Sequence, residues 1–114
     1  MVVDSRTAKA DRVFHALADP TRRDIVRRAL GAEHSVSALA RAYPMSVAAV
    51  QKHVAVLERA GLVTKVRSGR EQLVRGNVKA LVEARRALDR LEEVWRSRIE
   101  QIGEILAEEE GKSR

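Results

Sequence analysis

A chain of 114 residues with no cysteine and a formal net charge of +6 has room for one domain with a modest core, and it excludes disulfides and thiolate metal sites. Its charge is uneven: residues 1–76 hold 14 Lys and Arg against 7 Asp and Glu, whereas residues 77–114 hold 8 against 9. A cationic part suited to a polyanion therefore adjoins a near-neutral part with another task, the plainer reading being a solvated basic surface.

The opening MVVDSRTAKADR lacks the apolar stretch of a secretory signal, and no apolar run approaches the roughly 18 residues of a membrane span. With no cysteine to suggest an oxidising compartment, a cytoplasmic location and no membrane partner are expected. Residues 8–18, AKADRVFHALA, place Ala10, Val13, Phe14 and Leu17 on one face of a helix. Asp19-Pro20 restarts the chain, with Asp19 as N-cap and Pro20 at a first helical position that needs no donor. The second helix is predicted to run to Leu30 and end at Gly31, with Ile25, Val26, Ala29 and Leu30 toward the core. Its Arg22, Arg23, Arg27 and Arg28 read as a solvated face, or at most as phosphate contacts.

SVSALARAYP predicts a short extended link and then a short helix capped by Ser37, stopped before Pro44, which biases Tyr43 out of helical geometry. The next helix, 46–60, starts almost at once: Ser46 is a good N-cap, and Met45 can pack on Val50 as a hydrophobic staple. Two helices joined by a three- or four-residue turn make a helix-turn-helix. In SVAAVQKHVAVLERAGLV, Val47, Val50, Val54 and Leu57 share one side, while Ala48, Gln51, Lys52, Ala55 and Arg59 lie opposite. That second side is unusual for a face that only has to be soluble. Alanines at 48, 49 and 55 keep it narrow enough for a DNA major groove; Gln51 can bond an adenine edge, Lys52 can reach guanine, and Ala48 can touch a thymine methyl.

Gly61 closes this helix, and LVTKVRSGREQLVRGN follows as a two-stranded wing, 62–76. Leu62, Thr64 and Val66 alternate against Lys65 and Arg67, Ser68-Gly69 supplies the turn, and Leu73 and Val74 mark the return strand. Arg67, Arg70 and Arg75 fall at or near the tip, where they suit phosphates or the minor groove. From Val78 only Gly103 interrupts a long helical pattern in which Leu81, Ala84, Leu88, Leu91, Trp95, Ile99, Ile102 and Leu106 form a near-heptad stripe. So long a stripe cannot be covered by so small a domain. A homodimer is expected, with Val13, Leu17, Leu88, Leu91, Trp95 and Ile102 at its interface, over packing of the whole stripe within the chain.

No enzymatic constellation is visible. His15, His34 and His53 lie on three different predicted elements without an i, i+4 partner, so no metal ligand set is expected. His53 borders the apolar face of its helix and reads as a packing or hydrogen-bonding residue. Gly61, Gly69 and Gly76 match no phosphate loop and serve as cap, turn and strand end, while Glu92-Glu93 read as solubilising charges. Neither a catalytic residue nor a cofactor is expected.

The stretches FHALADPTRRDIVRRAL and SVSALARAYPMSVAAVQKHVAVLERAGLVTKVRSGREQL resemble the ArsR/SmtB family of winged helix-turn-helix repressors, a likeness that runs over roughly residues 10–106. It is carried by ALADPTRR at the second helix, Ser-x-x-x-Val-x-x-His in the recognition helix, and Leu-x-x-Ala-Gly-Leu-Val leading into the wing. The resemblance implies a dimer on a roughly palindromic double-stranded operator, repressing transcription until a signal releases it. It places Ser46, Ala48, Ala49, Gln51, Lys52 and His53 in the DNA-binding segment and Arg67 and Arg70 in the wing. Metal-sensing members carry a Cys-x-Cys in the helix before the recognition helix, where this chain has ALARAY, or a His/Asp set on the last helix, which here has no histidine. The chain thus looks like a metal-independent branch whose small-molecule inducer is often unknown. Gln51 stands where serine is frequent, and LEEVWRSRIEQIGEIL resembles the Trp-containing last helix of that branch, whose members often sit beside genes for small lipid- or hydrophobe-binding proteins.

The expected architecture is therefore mainly α with a small β-hairpin (α+β), a single winged helix-turn-helix domain over 1–114. Residues 78–107 form its dimerisation helix, and 1–7 and 108–114 are flexible ends. The expected function is sequence-specific DNA binding by a homodimeric repressor. The alternative is a helical protein-protein interaction module in which the long C-terminal helix is the functional surface.

Overall fold

A computed structural model describes residues 5–112, in the order α1 (Ser5–Leu17), α2 (Pro20–Gly31), β1 (His34–Ser35), α3 (Val36–Arg41), α4 (Val47–Arg59), β2 (Val63–Ser68), β3 (Glu71–Gly76) and α5 (Val78–Lys112). The chain divides into two units, residues 1–84 and 85–114. The expected flexible ends fall partly outside the described residues; within them, 5–7 and 108–112 are helical.

The first unit is built around one apolar cluster to which every helix contributes. Ile25, Val50, Leu57, Leu62 and Val74 are wholly buried, with Val13 and Ala16 of α1, Leu39 of α3 and Ala80 and Ala84 of α5 around them. The N-caps are local and strong. Asp19 accepts from the Arg22 N–H at 3.0 Å, and Ser46 accepts from the Ala49 N–H at 3.1 Å. Met45 and Val50 both join the cluster, as a staple requires.

Several expectations are corrected by packing between distant segments. Ser35, not Ser37, caps α3, its hydroxyl accepting from the Ala38 N–H at 3.1 Å. The extended link becomes a third strand: the sheet order is β1-β3-β2, all antiparallel, with His34 opposite Val74 and Ser35 opposite Leu73. The wing therefore leans on the helices through β3, as a lone hairpin could not. Its loop is Gly69-Arg70, because Ser68 pairs with Glu71; Gly69 has φ 62° and no other residue of the loop has a positive φ, the arrangement of a type II′ hairpin. In β2 the phase is reversed from the predicted alternation. Val63 is buried and Thr64 exposed, because Val63 faces Gly76 across the ladder and Lys65 faces Val74 while reaching Glu58 of α4 at 3.5 Å.

Leu30 and Val47, both expected inside, are exposed (42% and 49%). α2 ends in an extended Ala32 rather than on a left-handed glycine, and Gly31 is its last helical residue. Val13 is only 3% exposed. It belongs to the chain's own core cluster, which leaves little of its side chain for the expected dimer interface. Leu17 packs only partly on that core.

The second unit is the helix from Arg85 onward, continued through Gly103 to Lys112. Leu88, Leu91, Trp95, Ile99, Ile102 and Leu106 are all at least half exposed. An ion pair between Arg96 and Glu92 sits one turn apart on its polar side.

Candidate nucleic-acid interface

Apart from the exposed Val47, α4 has the sidedness its sequence predicts. Val50, Val54 and Leu57 are buried, while Ala48, Gln51, Lys52 and Arg59 are exposed and Ala49 and Ala55 half-buried. Gln51 and the wing arginines Arg67 and Arg70 line one groove of about 360 Å³, together with Val47 of α4 and Gln72 and Glu71 of β3. The remaining wall is the start of α3, Ser35, Val36 and Ser37. A groove lined by the Gln51 amide and by two guanidinium groups of the wing has the donors to hold phosphates and a group able to read a base edge.

Lys52 and Ala48 share the exposed side of α4 without lining that groove. Ser46 is occupied as the N-cap, and His53 is half-buried, its Nδ1 3.4 Å from an Arg22 nitrogen. Arg75 is not at the tip. It stands opposite Thr64 toward the base of the wing and pairs with Glu33 at 3.0 Å. Gln72 and Ser37, which sequence reasoning did not place in the site, are brought in by the ladder and by the approach of α3. Gln72 was recoverable from the hairpin: with a Gly69-Arg70 loop, it must face Arg67.

The four arginines of α2 have defined partners instead of forming a free cationic face. Arg22 donates to the carbonyls of Ala16 (2.7 Å) and His15 (3.1 Å), and Arg23 donates to that of Leu17 (2.7 Å). Both cations thus satisfy the carbonyl end of α1, where the helix dipole favours them. Arg27 and Arg28 pair with Asp24, at 2.5 and 2.9 Å. Asp24 also accepts the Tyr43 hydroxyl at 2.6 Å, and the Arg28 guanidinium lies 5.6 Å from the centre of the Tyr43 ring. This network ties α2 to residues 42–46, the connection that delivers the chain into α4.

The Tyr43 hydroxyl, then Arg28 and Arg27, hold the Asp24 carboxyl well below the usual carboxylate range. Burial, reinforced by Asp24, pushes the Tyr43 phenol up to about 12. A depressed carboxyl pKa gives stability that is present above the unfolded value, near 3.8, and is lost as pH falls through the folded value. Tyr43→Phe should therefore lower the melting temperature at neutral pH, and the gap from wild type should narrow as pH is taken from 6 toward 2.5. A gap independent of pH would show that Tyr43 does not hold Asp24 in its ionised form.

Among the described residues no group of three or more His, Asp or Glu side chains is placed to hold a metal ion, and no helix is long and apolar enough to cross a membrane.

A helix-turn-helix domain family matches residues 17–66. Over 80 residues the chain is 40% identical to the HTH-type transcriptional regulator Rv2034 of Mycobacterium tuberculosis, covering 70% of this chain and 75% of that one. An ArsR-like transcriptional regulator from Rhodococcus sp. RHA1 has the same fold, with a TM-score of 0.81 and 35% identity over 91% of this chain and 95% of the other. The homodimeric winged helix-turn-helix DNA-binding domain of Mb0332 from Mycobacterium bovis matches with a TM-score of 0.60 and 27% identity, over 82% of this chain and 87% of that one. Identities of 40% and 35% along most of the chain exceed what a shared fold alone requires, and the domain match spans α2, α3 and α4 and ends within β2. The chain belongs to the ArsR family of winged helix-turn-helix transcriptional regulators.

Proposed function

We propose that this regulator is a homodimeric repressor of a roughly palindromic operator, in which α4 enters the major groove and the wing lies beside it on phosphates. The observation that carries this reading is the shared groove of Gln51, Arg67 and Arg70, which joins a base-reading amide to two phosphate-binding cations. Two copies related by a two-fold axis would present two such grooves to two half-sites. The exposed stripe of α5 supplies the surface for that pairing, in keeping with the homodimeric state of the Mb0332 domain. We read the protein as cytoplasmic and non-enzymatic, and its release from DNA as independent of metals, since neither the sequence nor the described residues offer a ligand set.

The test separates reading from anchoring. Gln51→Ala or Lys52→Ala should cost about 1–3 kcal/mol on the operator and relax preference at one or two base pairs per half-site. Arg70→Ala should weaken binding to operator and scrambled duplex by similar factors and lower the salt slope by about one unit per lost phosphate contact. Titration of each variant against both duplexes at several salt concentrations measures both effects. If Arg70→Ala instead alters sequence preference while the α4 variants weaken both duplexes equally, the wing does the reading. Wild-type protein that binds no duplex in a salt-dependent manner would leave the interaction-module reading in its place.

A further inference from the structure

Away from the DNA-side groove, two adjoining clefts open along α1 and the C-terminal end of α4. The first, about 270 Å³, is framed by Lys9 and Arg12 of α1, Arg59 of α4 and Lys79 in the first turn of α5. All four are exposed, and among the described residues none of them has an ion-pair partner; Glu83 is the one carboxylate on the rim. The floor is apolar, made by Ala10, Ala80 and Ala84, all buried. The second cleft, about 410 Å³, shares Arg12, Arg59 and Ala60 with the first and continues past Val56 and His15, with Asp11 at its edge. Each cleft is near or within the roughly 300–1,000 Å³ usual for small-molecule sites.

Four cations around one hollow repel one another, and the positive end of the α5 dipole adds to their field. A bound anion relieves that repulsion, and the alanine floor running on to Val56 favours an anion with a hydrocarbon body over a small inorganic one. We propose that the joined clefts are a binding site for an amphipathic organic anion, of the class of a medium-chain carboxylate, and that its occupancy weakens DNA binding. The coupling follows from position and charge. Arg59, Ala60 and Gly61 end the helix that carries Gln51 nearer its start, and beside the cleft the Asn77 N–H, just before α5, donates to the carbonyl of Leu62, just after α4, at 2.8 Å, so the segments flanking the site are tied together. An anion seated there also cancels part of the positive field that attracts phosphates. The coupling rests on α4 being the DNA-contacting helix; the binding itself does not.

Calorimetric titration of the full chain with decanoate, below its micelle-forming concentration, tests the site, with acetate and decyltrimethylammonium as probes lacking the tail or the negative charge. Decanoate should bind once per chain, acetate at least about tenfold more weakly, and the cation not at all. The double variant Arg12→Gln/Lys79→Gln should weaken decanoate binding by about tenfold or more, and Lys79→Arg alone should retain it. Matching thermal melts establish that the variants are folded. No decanoate binding to the wild type overturns the proposal, as does binding that the double variant leaves intact, which would place the ligand on the exposed α5 stripe. Saturating decanoate should lower wild-type operator affinity; unchanged affinity removes the coupling while the site stands. A protein that binds no operator even without decanoate defeats the DNA reading, and the calorimetric result still decides the cleft.

Discussion

Leu88→Glu or Trp95→Glu should turn the protein into a monomer and abolish tight operator binding. Leu88 is 53% and Trp95 62% exposed within the chain, and neither belongs to the core of the first unit. With Leu91, Ile99, Ile102 and Leu106 they form a continuous apolar ridge along α5 at near-heptad spacing. Such a ridge leaves water most simply against a second copy of itself across a two-fold axis. A glutamate at either position would be buried without a partner in each subunit of that dimer, at a cost of about 3–5 kcal/mol per unpaired charge. Losing the second half-site contact removes the avidity of the pair, so operator affinity should fall by about 10²–10⁴-fold even though the groove of Gln51, Arg67 and Arg70 is untouched. Sedimentation and operator titration of the same samples read both effects. Wild-type protein sedimenting as a monomer at micromolar concentration would defeat the model, and so would a monomeric variant that binds the operator as tightly as wild type.

Gly76→Ala should destabilise the first unit by about 2 kcal/mol, or roughly 8–16 °C in Tm for a domain of this size. Gly76 ends β3 directly against the end of α2. A Cβ there would lie 2.7 Å from the Leu30 backbone nitrogen and 2.7 Å from its Cδ2. The side chain could turn away, but the backbone nitrogen belongs to a helix and cannot move without displacing it. The added methyl would therefore push the wing from α2, with loss of the packing that keeps the wing beside α4. Gly31→Ala is the control, since nothing lies within 4 Å of a Cβ at that position. It should be neutral or slightly stabilising, because alanine favours the helical last turn. Melts of both variants and wild type at one protein concentration decide the matter. Equal Tm values for Gly76→Ala and wild type would show that the close approach does not constrain the wing.

Much of the candidate site was legible because it is written in local periodicity and local capping. The 3.6-residue recurrence of Val50, Val54 and Leu57 determined which side of α4 is buried, and so left Gln51 and Lys52 outside. Asp19 and Ser46 are capping residues that act on N–H groups three positions on, and both do so here. The stripe from Leu88 to Leu106 is likewise a property of one helix, visible without any partner.

What only the tertiary structure decided involves residues that meet from afar. The local sequence SVS offers two serines able to cap, and pairing of His34 and Ser35 with β3 selected Ser35. The phase of β2 depends on which residue of β3 stands opposite, so Val63 was turned inward and Thr64 outward by the ladder, against an equally alternating pattern one residue away. Arg22 and Arg23 look like any surface cations in sequence, yet the end of α1 folds back within their reach and gives them its carbonyls. Periodicity states that a side chain faces in or out. It does not state what it will face, and for Val13, Leu30, Tyr43 and Gly76 that neighbour comes from a segment brought close only when the whole unit folds.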